Sequence, residues 1–188
     1  LGYKAVTVGV SDILAMNARP EQIIISLGVS SKIPVEALED LYEGMAFACK
    51  ELGVDLVGGD TSASMTGLVI NITAIGRAKR KAITYRSGAQ FNDLICLTGN
   101  LGAAYMGLQL LEREKRVLHD MEHPEPQFKG YEYLLQRYLK PRARKDIIEV
   151  LAEEKIVPTS MIDISDGLAS EVLQICKASK CGARIYLE

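Results

Sequence analysis

Apolar residues along this chain follow two rhythms, one of period two and one of period near three and a half, and the switches between them predict its elements. Residues 3–10 are rich in Val with small residues between, which predicts a strand. Residues 11–18 follow as a short helix-like turn carrying Asp12. Residues 22–30, Gln-Ile-Ile-Ile-Ser-Leu-Gly-Val-Ser, predict a second strand. Pro34 then opens a helix at its favoured first position. Val35, Leu38, Leu41, Tyr42, Met45, Cys49 and Leu52 recur at three and four residues and form one apolar stripe. Gly53 ends that helix, as a C-terminal glycine does. Further strands are predicted over residues 54–58 and 67–77.

Residues 78–92 are polar, basic and weakly periodic, and the boundary between two domains is placed there: residues 1–78, a linker over 79–92, and residues 93–188. The second half starts with a predicted strand at 93–98 and a Gly99-Asn100-Leu101-Gly102 turn, then a helix near 103–116. Residues 117–127 hold both histidines and two prolines and read as an exposed loop. Helices near 128–138 and 143–154, a strand at 161–165, a helix at 167–179 and a strand at 183–187 complete the pattern. Interleaved strands and helices make the class α/β or α+β.

Composition narrows the function classes. The 188 residues are 48% hydrophobic and 24% charged, ordinary for a protein with a real core. A net charge of −2 gives no reason to expect a nucleic-acid partner. The short run Lys79-Arg80-Lys81 reads as a solvated connection. No apolar run approaches the ~20 residues of a membrane span. The four cysteines lack zinc spacing; with no visible signal peptide they point to reduced thiols in a cytoplasm. The chain starts at Leu1 without a Met, runs directly into a predicted strand and ends in a strand-like run, so both ends read as cut from a longer protein.

Three acidic positions share a design in which a carboxylate follows an apolar run: Asp12 after Val8-Gly9-Val10-Ser11, Asp60 after Leu56-Val57-Gly58-Gly59, and Asp163 with Asp166 in Met161-Ile162-Asp163-Ile164-Ser165-Asp166-Gly167-Leu168. Ligands in α/β architectures gather beyond the carboxyl ends of strands, so these corners could converge on one metal cluster. The last corner has two readings from its residues alone. Ser165 or Asp166 could cap the helix that follows. Alternatively, its carboxylates could hold a divalent cation while N–H and hydroxyl donors meet a phosphate. Gly58-Gly59 permits close backbone approach to a phosphate or an ordinary turn with φ > 0. Tyr42 by pattern belongs to the core side of its helix. Gly99-Asn100-Leu101-Gly102 lacks the Gly-Lys-Ser/Thr ending of a phosphate loop. His119 and His123 lie in the predicted loop and read as solvent-exposed.

Taken in order, Ser11-Asp12-Ile13-Leu14-Ala15-Met16, Gly58-Gly59-Asp60-Thr61, Arg86-Ser87-Gly88-Ala89 and Ile162-Asp163-Ile164-Ser165-Asp166-Gly167-Leu168 resemble the thiamine-monophosphate kinase family. That family shares a superfamily with aminoimidazole-ribonucleotide synthetase and selenophosphate synthetase. The resemblance implies an α+β, PurM-like architecture of two domains, the first pairing with its copy in a homodimer. It implies ATP as co-substrate, several Mg²⁺ ions and thiamine monophosphate as acceptor. By motif position, Asp12, Asp60, Asp163 and Asp166 fall where the family holds metal, and Gly59, Asp60, Arg86, Ser165 and Tyr42 where it contacts ATP. It also implies metal-binding aspartates ahead of Leu1 and a thiamine-holding portion beyond Glu188. The isolated chain is therefore expected to be inactive.

The implied reaction needs no general base, because an acceptor phosphate with a second pKa of about 6 is mostly dianionic at pH 7. Positioning and charge neutralisation carry phosphoryl transfer, which suits a site of aspartates. The rival expectations are a sister enzyme making an aminoimidazole ribonucleotide or selenophosphate, and a non-catalytic nucleotide-binding or dimerisation module.

Overall fold

The computed structural model describes residues 1–118 and 126–186. In chain order its elements are α1 (Gly2–Leu14), β1 (Arg19–Val29), α2 (Val35–Leu52), β2 (Asp55–Ala63), β3 (Val69–Arg77), α3 (Ala103–Leu118), α4 (Glu132–Leu139), α5 (Lys145–Glu153) and α6 (Leu168–Ser179). The fold is mixed α+β. Contacts divide it into two units, Leu1–Ile95 with Ala143–Glu188, and Cys96–Arg142.

The first unit is built on a three-stranded sheet of order β2-β1-β3. β1 and β2 run parallel, joined by the α2 crossover, while β3 returns antiparallel on the other side of β1. Alternation along β1 buries Ile23, Ile25 and Leu27 on one face and leaves Gln22, Ile24 and Ser26 outward. The buried face meets Val6, Val10 and Leu14 of α1 and Leu41, Met45, Ala48, Cys49 and Leu52 of α2. Ile23, Ile25, Met45, Val6 and Val10 are the largest fully enclosed side chains. Each contributes about 1.5–3 kcal/mol by burial. The helices cross where Gly2 lies against α2; a Cβ there would fall on the Leu41 carbonyl oxygen. In the second unit α3 packs on α4, and Gly107 similarly leaves room for the Leu134 carbonyl oxygen. There Glu114 is buried, paired with Arg113 at 2.8 Å and accepting the Gln127 N–H at 3.0 Å.

Several predicted elements are different in the structure. Residues 3–10 are helical, the body of α1, and the turn predicted over 11–18 includes its last residues. Tyr3, Val6, Val10 and Leu14 are buried at helical spacing, and their packing outweighs the β-preference of Val. Pro34 is the N-cap of α2 and not its first helical residue. Gly53 does end it in the left-handed region, φ 67°. β2 extends to Ala63, so Gly58 and Gly59 lie inside a strand. Neither is among the residues with positive φ. Residues 93–98 and 161–165 are in no strand, nor are residues 183–186; residue 187 and both histidines lie outside the described residues. The helix predicted from 128 begins at Glu132. Among the described residues no helix is long and apolar enough to cross a membrane.

Candidate functional site

The end of α1 and the segment before α6, about 150 residues apart in sequence, meet in the first unit. Ser11 Oγ donates to Asp163 Oδ2 at 2.8 Å. Asp12, the next residue, comes within electrostatic range of both Asp163 and Arg86. Its carboxyl is raised above the ordinary 3.8, first by partial burial, then by the Asp163 charge, with Arg86 pulling it back down. Asp12 also lies in the last turn of α1, where the helix dipole disfavours a carboxylate. An acid kept in a place unfavourable on two counts suits a cation-binding role better than a structural one.

Arg86 stands on a loop tied down along its length. The Tyr85 carbonyl accepts the Met161 N–H at 3.1 Å, and the Arg86 carbonyl accepts Ser160 Oγ–H at 2.7 Å. Gly88 and Ala89 both donate backbone N–H to Ser179 Oγ at 3.1 Å. Gly88 has φ +123°, and a Cβ there would approach the Thr159 carbonyl oxygen at 2.5 Å, so the tight loop needs glycine. Arg86 itself is exposed, its guanidinium available to a ligand.

The corner before α6 does not cap its helix by side chain. Gly167 is the N-cap, at φ 112° and ψ 156°, and no side-chain cap hydrogen bond is made. The capping reading of Ser165 and Asp166 is thus corrected. From within the helix, buried Glu171 holds the entry segment instead: it accepts the Asp166 N–H at 3.1 Å and, more weakly, Ser165 Oγ–H at 3.5 Å. A carboxylate in the first turn complements the helix dipole. With Glu171 serving the helix, the Asp166 and Ser165 side chains stay exposed.

Asp60 occupies a different position. It lies in the middle of β2, in register with Ser26. Between Ile23 and Ile24 of β1 the register shifts, leaving Val57 as an extra residue just before Gly58-Gly59-Asp60. Gly59 runs so close to β1 that a Cβ would sit 2.2 Å from the Ile25 carbonyl oxygen, whereas Gly58 has nothing within 4 Å. A cavity of about 490 Å³ is lined by Ile25, Tyr42, Leu56, Val57, Gly58, Gly59, Asp60 and Thr61. Tyr42, placed with the core by its spacing, is 40% exposed and lines this cavity. Among the described residues no three His, Cys, Asp or Glu side chains group closely enough to hold a metal ion. Asp12 thus stands within electrostatic range of Asp163 and Arg86, and Asp60, Gly59 and Tyr42 line the β2 cavity.

The donor set at Asp12 and Asp163 fits a hard divalent cation. Mg²⁺ takes one or two protein carboxylates and completes its shell with water and substrate phosphates. A cation there also relieves the mutual repulsion of the two acids. Ser160 and Ser179 act across distances that no local pattern encodes; Glu171 acts on residues five and six places before it, and Ser11 stands beside Asp12 in its motif.

Residues 1–78 match the family model described as AIR synthase related protein, N-terminal domain. The chain is 35% identical over 181 residues to thiamine-monophosphate kinase of Bacillus subtilis, covering 95% of this chain and 52% of that protein. It is 34% identical over 190 residues to thiamine-monophosphate kinase of Escherichia coli, covering 100% and 53%. The solved structure of AaThiL complexed with AMPPCP and TMP matches with TM-score 0.80 at 31% identity, over 95% of this chain and 53% of that one. The chain spans about half the length of the curated relatives it matches.

Proposed function

We propose that this chain, akin to thiamine-monophosphate kinases along nearly its whole length, forms the metal- and ATP-binding centre of such a kinase, which phosphorylates thiamine monophosphate to thiamine diphosphate. The observation that carries the reading is the meeting of Asp12, Asp163 and Arg86 from three separate stretches of sequence. The complex of a structural relative with AMPPCP and TMP supports an ATP-type donor and this acceptor.

In the proposed reaction an oxygen of the acceptor phosphate bonds to the γ-phosphorus of ATP, the bond from that phosphorus to the β,γ-bridging oxygen breaks, and ADP leaves. Asp12 and Asp163 would hold Mg²⁺, with Asp60 and Asp166 as further carboxylates for additional ions. When bound, Mg²⁺ neutralises charge between the reacting phosphates. Ser11 fixes the Asp163 carboxylate in one orientation through its 2.8 Å bond. Arg86 offers a planar fork to a phosphate, a role Lys fills poorly. Gly59 and Tyr42 would border the nucleotide at the β2 cavity, and Ser165 would donate its hydroxyl to a phosphate oxygen. No residue is asked to act as base. The division into two domains, 1–78 and 93–188 joined by a linker at 79–92, and a cytoplasmic homodimer belong to the same proposal. The exposed outer face and the wholly exposed β2 edge of the sheet support pairing with a second copy.

The test is a Mg²⁺-dependent assay of the full-length protein with ATP and, in parallel, thiamine monophosphate, aminoimidazole-ribonucleotide precursor and selenide. Turnover with thiamine monophosphate alone is expected. Preference for either other substrate would move the chain to a sister enzyme, and no turnover with any would leave a binding module.

A further inference from the structure

Helix α6 ends in two backbone bonds. Cys181 N–H reaches the Cys176 carbonyl at 3.1 Å and Lys180 N–H the Lys177 carbonyl at 3.4 Å. Lys180 between them is left-handed, φ 54° and ψ 41°. This pairing is the Schellman motif, and it sets the side chain four places before the left-handed residue against the one directly after it. That contact is ordinarily between two apolar groups. Here the two residues are Cys176 and Cys181, tied to each other by the Cys181 N–H to Cys176 carbonyl bond. Both are free, Cys181 exposed and Cys176 half-buried. A disulfide requires Cα atoms about 4.4–6.8 Å apart and Cβ vectors that converge. The backbone bond across this pair folds the chain back on itself between the two residues.

Ser179, between the two cysteines, is the residue whose Oγ accepts the Gly88 and Ala89 N–H groups and so anchors the Arg86 loop. We propose that Cys176 and Cys181 form a reversible disulfide that closes the cap of α6 and, through Ser179, stiffens the loop carrying Arg86. The consequence for nucleotide binding rests on the function proposed above; the disulfide itself does not. The oxidant is a small-molecule disulfide. The exposed Cys181 thiolate attacks one of its sulfurs, forming a mixed disulfide and releasing one thiolate. The Cys176 thiolate then attacks Cys181 Sγ, the mixed disulfide bond breaks, and the second thiolate leaves. The protein thiols lose two electrons and two protons; the small disulfide gains both and becomes two thiols.

The experiment treats the full chain with excess glutathione disulfide, alkylates remaining thiols and digests with trypsin. The expected product joins the peptide ending at Lys177 to residues 181–184, with a mass equal to both peptides less two hydrogens, and dithiothreitol reverses it. Cys96, exposed and unpaired, gives the comparison for ordinary thiol reactivity. Cys181→Ser should leave Cys176 alkylatable, with a melting profile like the wild type. Both cysteines alkylated, or each carrying glutathione without cross-link, would overturn the proposal. Amide hydrogen exchange at Gly88 and Ala89 should slow in the oxidised chain; unchanged exchange there would overturn the link to the Arg86 loop.

Discussion

Replacing Gly59 by alanine, with Gly58→Ala beside it, separates a backbone requirement from mere glycine content. A Cβ at Gly59 would lie 2.2 Å from the Ile25 carbonyl oxygen, more than 1 Å short of the 3.4 Å at which ordinary van der Waals contact begins. The obstacle is backbone of the adjacent strand, so no side-chain rotation removes it. β2 must move away from β1 or the ladder around Ile25 and Gly59 must open. Overpacking of this kind costs about 1–3 kcal/mol, and a strained or broken ladder bond adds about 1 kcal/mol. The smaller entropy of the unfolded alanine chain returns roughly 0.4–1 kcal/mol. A net loss of about 2–3 kcal/mol follows, or roughly 5–10 °C in Tm for a unit of this size. At Gly58 the added methyl meets nothing within 4 Å, and only the entropy gain remains. Thermal melts by circular dichroism at pH 7 compare the two variants with wild type. Equal Tm values for both variants would refute the argument that Gly59 is demanded by strand approach.

Two further outcomes follow from the site. Because Asp12 titrates above 3.8 in the folded chain, the folded state takes up its proton more readily than the unfolded state does. Its charge therefore lowers stability as pH rises from 3.8 through the raised value. Asp12→Asn should melt higher than wild type at pH 7, with the difference vanishing near pH 3.8; an equal or lower Tm at pH 7 would contradict the desolvation reading. Glu171→Ala leaves the Asp166 N–H without its acceptor and removes a favourable charge from the first turn of α6, at about 2–3 kcal/mol. Glu171→Gln, which keeps an acceptor oxygen, should lose roughly 1 kcal/mol or less by urea denaturation; equal losses for both would contradict the capping role.

How far the chain can be read without coordinates depends on the range of the forces involved. The helix from Val35 to Leu52 and its buried Leu41, Met45, Cys49 and Leu52 read correctly because local period, a glycine stop and core packing agree, while Val35 and Tyr42 of the same stripe are exposed. Residues 3–10 mislead because Val favours strands, while Val6 and Val10 are held by tertiary contact with α2 and β1. Gly58-Gly59 looks like a turn, but Gly59 is required by the close approach of two strands, a fact about Ile25 that lies more than thirty residues away. Asp12, Asp163 and Arg86 are legible as motif positions; their meeting depends on the Ser11–Asp163 bond and the clamps at Ser160 and Ser179, which no spacing encodes. Asp60 reads as the end of a strand but stands in the middle of β2, lining a cavity together with Tyr42.

The central claim is that Asp163, oriented by Ser11 and paired with Asp12, holds metal for phosphoryl transfer. Its most direct test is the turnover of full-length Asp163→Asn with ATP and thiamine monophosphate across a Mg²⁺ titration. Turnover should fall by about tenfold or more, with an unchanged far-ultraviolet spectrum. Wild-type turnover of that variant at saturating Mg²⁺ would contradict the account.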